Sequence, residues 1–65
     1  AARLTRRETE ILELVAEGLT APTMAARLFL SPATVRTHFR NIYEKLGVGD
    51  RAAAVARAIR LGLIA

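Results

Sequence analysis

Apolar residues recur along this chain at the spacing of an α-helix, and the recurrence is interrupted by glycines and by one Ser-Pro pair. Ile11, Leu12 and Val15 make one stripe, with Leu14 at its edge. Met24, Ala25 and Leu28 make a second, and Val35, His38, Phe39, Ile42 and Leu46 a third. Ala54, Val55, Ala58 and Leu61 make a fourth. Steps of three and four residues place each set on one face of a helix, and no alternating strand pattern competes with them.

Each stripe carries its own start and stop signals. Thr5-Arg6-Arg7-Glu8 is a capping box, in which the Thr5 hydroxyl and the Glu8 carboxylate each accept from the other residue's backbone N–H. Leu4 precedes it as a weak hydrophobic staple, and Gly18 closes the helix. Thr20 opens the second helix, with Pro22 tolerated in its first turn. Ser31-Pro32 opens the third, a cap followed by proline at the first helical position, and Gly47 stops it. Asp50 caps the fourth and Gly62 ends it. The pattern predicts an all-α, four-helix helix-turn-helix fold, with helices over about 6–17, 21–29, 32–46 and 51–61, in a single domain spanning 1–65.

Composition narrows the function classes. The chain has 65 residues, and one this size buries only about 60% of its unfolded surface, so its stability margin is thin. It has no cysteine and one histidine, which removes disulfides, thiolate metal sites and sulfur redox chemistry. No apolar run approaches the roughly 20 residues of a membrane span. A cytoplasmic protein without cofactor, metal or membrane partner is expected. No pair of titratable side chains is placed to cooperate in a cleft, so no enzyme is expected. The chain starts with Ala rather than Met, as expected of a domain from a longer protein.

Charge adds a direction. The net charge is +4, and no acidic residue occurs from Gly18 to Tyr43, whereas Glu8, Glu10, Glu13 and Glu17 all lie in the first helix. A surface cleared of carboxylates, carrying arginines on the open face of a helix, is suited to a polyanion. Around the third helix, Ala33, Arg36, Thr37, Arg40 and Glu44 lie opposite the apolar face. Arg36 and Arg40 are one turn apart, and an arginine fork matches O6 and N7 of guanine, worth about 1–3 kcal/mol of discrimination per pair. Ala33 permits close approach, and the methyls of Ala33 and Thr37 can meet thymine methyls. Glu44 lies a turn beyond, where the helix leaves the groove. The short Leu30-Ser31-Pro32 connection places the start of this helix near phosphate, with Ser31 and Thr34 as hydroxyl donors. Thr20 is counted with them as a candidate phosphate contact.

Other residues admit plainer readings. Arginines on a helix are most often a solvated face. His38 lies on the core side without a nucleophile or metal partner, as expected of a packed structural histidine. Met24 reads as core filler. Tyr43 either anchors helix packing or reaches a phosphate. On the fourth helix, Ala52, Ala56 and Ile59 extend the apolar arc past the width a surface helix buries, with Arg57 and Arg60 on the remaining strip. That second face is expected to pair two copies, the alternative being exposed alanines chosen for helix propensity.

These residues, in this order, resemble the C-terminal DNA-binding domain of LuxR/FixJ/NarL-type bacterial transcription regulators. The resemblance rests on Leu4-Thr5-x-Arg7-Glu8, Ala16-Glu17-Gly18-Leu19-Thr20, Ala25-x-x-Leu28 and Ser31-x-x-Thr34-Val35-x-Thr37-His38. It continues through Asn41-Ile42-Tyr43-x-Lys45-Leu46-Gly47-Val48, Arg51-Ala52 and Gly62-Leu63-Ile64. It implies a four-helix fold whose third helix reads the major groove, base contacts at Arg36, Thr37 and Arg40, and phosphate contacts at Thr34, Asn41 and Lys45. It also implies a homodimer formed through the last helix, and double-stranded DNA as partner. An N-terminal sensor or receiver domain belongs to the same expectation. The chain departs from the family where an Asn-Lys-Glu-like triplet usually enters the second helix, for it has Ala21-Pro22-Thr23, without that basic group or that carboxylate. Two other functions compete with sequence-specific DNA binding: a sigma-like promoter-reading domain, against which Gly47–Leu63 argues, and a helical protein-interaction module.

Overall fold

The computed structural model describes residues 3–65 and contains four α-helices: α1 (Arg6–Ala16), α2 (Ala21–Leu28), α3 (Pro32–Leu46) and α4 (Arg51–Arg60). Every N-terminus is capped by the residue the sequence points to. Thr5 and Glu8 exchange both bonds of the capping box, at 3.1 and 2.8 Å. Thr20, Ser31 and Asp50 side chains accept from the backbone N–H three residues on. Pro22 and Pro32 lie in first turns, where no intrahelical acceptor awaits an N–H.

The C-termini share one device. After each helix, paired backbone bonds turn the chain, as in Leu30 N–H to the Ala25 carbonyl (2.8 Å) and Phe29 N–H to Ala26 (3.4 Å). The device needs one residue in the left-handed region. Glycine supplies it after α1, α3 and α4, but Phe29 supplies it after α2, at φ 59° and ψ 42°. A left-handed residue bearing a Cβ costs about 1–2 kcal/mol, and Phe29 recovers little by burial, since it is 95% exposed.

The helices close over one core. Ile11, Leu12, Met24, Val35 and Ile42 are almost wholly buried, joined by Val15, Ala25, Leu46, Ala54 and Ala58. α3 packs against each of the other three helices, and α1 also packs against α4. One expectation fails here. Leu61, read as a core residue of the fourth helix, is 54% exposed. It caps α4 just past the last helical residue, and the chain then turns at Gly62 to bring Ile64 inward instead, with Leu63 half-buried.

The core contains one charge. Glu8 is 3% exposed, and its Oε1 accepts from Lys45 Nζ at 2.7 Å, linking the start of α1 to the end of α3. Burial pushes the Glu8 pKa up, but hydrogen bonds from Lys45 and from Thr5 N–H, with the lysine charge, bring the net value below the ordinary one. A carboxyl whose folded pKa is depressed stabilises the fold above its unfolded pKa and ceases to do so as pH falls through the folded value. Glu8→Gln keeps the capping box but loses the charge. We expect it to cost about 1–2 kcal/mol at neutral pH, discounted because the lysine end meets water, and to flatten the stability loss below about pH 4.5. Thermal melts of both proteins from pH 3 to 7 check this, and parallel acid limbs contradict it.

Candidate nucleic-acid interface

The third helix divides as its periodicity requires. Val35, Ile42 and Leu46 are buried and His38 and Phe39 half-buried, so the helix is pinned along one side. Ala33, Arg36, Thr37, Arg40 and Glu44 are all exposed on the other. Arg36 and Arg40 make no ion pair; the Glu8–Lys45 bond is the one salt bridge among the described residues. Their guanidiniums therefore stay hydrated and free to meet an incoming acceptor, spaced about 6 Å along the axis. The Thr37 hydroxyl behaves differently, donating to the Ala33 carbonyl one turn back at 3.1 Å.

The hydroxyls at the two helix starts form pairs. Ser31 Oγ accepts from Thr34 N–H at 3.1 Å, and the two hydroxyls lie 2.9 Å apart. Thr20 and Thr23 repeat the arrangement, with hydroxyls 2.9 Å apart. Each pair holds two hydroxyl protons and uses one internally, whichever oxygen donates, so each keeps one for an anion. Thr23 belongs to the altered Ala21-Pro22-Thr23 segment, and its pairing with Thr20 was not read from the sequence. The spacing of a Thr three residues after a Thr cap was the available signal.

Asn41 is exposed on α3. Lys45 is held by Glu8, with about a third of its side chain still exposed. Glu8 was read only as a cap partner. Its spacing with Ile11, Leu12 and Val15 puts it on the inward stripe, which was the missed signal. Tyr43 and Phe39 lie with rings parallel, 3° between planes and centroids 6.0 Å apart, and Tyr43 is half-buried, which favours packing over phosphate reach. Burial raises the Tyr43 pKa, and Asp50 adds to this while Arg51 opposes it, so its phenol stays protonated at neutral pH. Arg51 lies over the Phe39 ring at 5.9 Å from the centroid and donates to the Leu19 carbonyl, tying α4 to the α1–α2 turn.

Away from this face the charge reverses. A groove of about 560 Å³ runs between α1, the end of α2 and the C-terminal tail, lined by Leu14, Leu28 and Ile64 and by Glu10, Glu13 and Glu17, with Arg27 the one cation among them. None of its lining residues belongs to α3. On α4, Ala52, Ala56 and Ile59 are exposed, and Leu61 just beyond the helix is exposed as well. Among the described residues no group of three or more His, Cys, Asp or Glu side chains is placed to hold a metal, and no helix is long and apolar enough to cross a membrane.

Comparison with known proteins places this geometry. A family model described as bacterial regulatory proteins, luxR family, matches residues 2–58. The probable transcriptional regulatory protein NarL of Mycobacterium tuberculosis is 52% identical over 61 residues, which cover 94% of this chain and 28% of that protein. The spore germination protein GerE of Bacillus subtilis is 44% identical over 59 residues, covering 91% of this chain and 80% of GerE. A crystal structure of the response regulator ChrA, from a heme-sensing two-component system, superposes with a TM-score of 0.94 at 47% identity, over 98% of this chain and 32% of ChrA. The structure of the transcription factor GerE gives 0.91 at 37% identity, over 95% of this chain and 92% of that one.

Proposed function

The chain belongs to the luxR family of bacterial regulatory proteins, and we propose that α3 is the helix with which it reads the DNA major groove. Family membership makes it a DNA-binding domain of transcription regulation, and not an enzyme. The observation that carries the finer reading is the exposed, unpaired Arg36–Arg40 row on a helix locked from behind by Val35, Ile42 and Leu46. Arg36, Thr37, Arg40 and Ala33 meet base edges. Ser31, Thr34, Asn41 and Thr20 meet phosphates from the start and flank of the helix. Lys45 reaches a phosphate with the donors its bond to Glu8 leaves over. None of the residues lining the acidic groove is among these contacts.

Salt tests this directly. Affinity for a duplex is expected to fall steeply as salt rises, with a log–log slope of about −0.9 for each phosphate neutralised. A dependence close to flat in a fluorescence-anisotropy titration contradicts DNA as the partner and favours a protein-interaction module.

The chain spans 28% of the NarL relative, and we read it as the DNA-reading domain, 1–65, of a longer cytoplasmic regulator with a receiver or sensor domain N-terminal to it. Two copies pair through Ala52, Ala56 and Ile59, where small side chains allow close approach and Ile59, 51% exposed, supplies the largest apolar surface. Ile59→Glu is expected to lower affinity for a two-half-site duplex about tenfold or more while leaving single half-site affinity unchanged. Equal loss on both duplexes contradicts the pairing.

A further inference from the structure

We infer that Thr37 reads the C5 methyl group of a thymine, and that its hydroxyl donates no hydrogen bond to a base. The inference rests on the placement of α3 in the major groove and names the base chemistry that one of its positions recognises. On an exposed helix face a threonine has two groups to offer, a methyl and a hydroxyl. Here the hydroxyl proton is already given to the Ala33 carbonyl at 3.1 Å. Threonines in helices make this bond because χ1 has few open wells, and once made it fixes the side chain. Donating to a base instead would break the bond, leave the Ala33 carbonyl without its second donor and turn the side chain. The methyl has no such commitment.

Its surroundings favour an apolar contact. Ala33, one turn before, adds a second methyl to the same row, and both residues are exposed. Arg36 and Arg40 make the neighbouring row, also one turn apart. Thr37 therefore lies beside two guanidiniums suited to guanine. In the major groove the thymine methyl is the one apolar feature of any base edge, and it distinguishes thymine from every other base. Four residues of helix advance about 6 Å and one base step about 3.4 Å, so the thymine lies within about two base pairs of a guanine that an arginine reads.

The experiment removes the methyl from the DNA and then from the protein. A preferred duplex is first selected from a random pool with the unaltered chain. Each thymine of a half-site is then replaced in turn by deoxyuridine, which lacks only the C5 methyl. We expect affinity to fall about fourfold at one or two positions, the value of one buried methyl group. Thr37→Val, which keeps the methyl and lacks the hydroxyl, is expected to retain that uracil penalty. Thr37→Ser, which keeps the hydroxyl, is expected to abolish it at one position. Uracil tolerated everywhere by the unaltered chain overturns the inference while leaving DNA recognition by α3 intact. So does a penalty that Thr37→Ser keeps and Thr37→Val loses. A selection that enriches no sequence overturns both the inference and the groove reading beneath it.

Discussion

Replacing Arg36 and Arg40 together by alanine is expected to abolish sequence preference and leave a folded protein. Each guanidinium that meets a guanine bidentately is worth about 1–3 kcal/mol of discrimination, so the pair accounts for about 30-fold to 20,000-fold in specific affinity. The two are neighbours on one helix face, so their contributions need not add. Both are exposed and neither holds an ion pair, and alanine is the better helix former, so stability is expected to stay within about 0.5 kcal/mol. Gel shifts with the selected duplex, competed by unrelated DNA, separate the outcomes. The double variant should bind both DNAs alike and weakly. Undiminished preference after both changes would place base reading elsewhere.

Ile42→Ala should do the reverse, destroying the fold while touching nothing on the outer face of α3. Ile42 is 0% exposed and belongs to the cluster that joins all four helices. Removing its branched side chain loses transfer free energy and leaves a cavity, together about 2–5 kcal/mol. A domain of this size has little margin, and each kcal/mol lowers Tm by about 4–8 °C. A fall of more than about 10 °C by circular dichroism is expected, with substantial unfolding at ambient temperature. DNA binding should disappear with the helix signal and return on cooling. An unchanged Tm would contradict the packing of α3 against its neighbours. With the arginine variant, this result separates the residues that hold the reading helix from those that read.

What was legible in the sequence was what local chemistry decides. Thr5, Thr20, Ser31 and Asp50 cap helices because a side-chain oxygen three residues before a free N–H needs no distant partner. The two faces of α3 follow from its period alone. The residues that escaped depend on contacts across the chain or on side-chain rotation. Lys45 meets Glu8 across 37 positions of sequence. Local pattern gives Glu8 the role of a cap and Lys45 that of a phosphate contact, and neither role shows that the two meet. Leu61 fits the inward stripe of α4 by count, yet the helix ends before it, and Ile64 beyond Gly62 fills the space. Phe29 takes a left-handed cap that sequence reasoning reserves for glycine. The Thr37 hydroxyl turned out to be engaged along its own helix, which no face diagram can display. The base-reading and pairing residues follow from exposure and family likeness.

Guanidiniums of α3 are expected to meet guanine from the major groove. Methylation interference measures this most directly, because dimethyl sulfate adds its methyl to guanine N7, the acceptor such a fork requires. Methylated guanines in each half-site should be depleted from duplexes bound by the unaltered chain, about two base pairs apart along the groove. The Arg36→Ala and Arg40→Ala proteins should each lose one of those positions. Specific binding that ignores N7 methylation at every guanine would contradict the account.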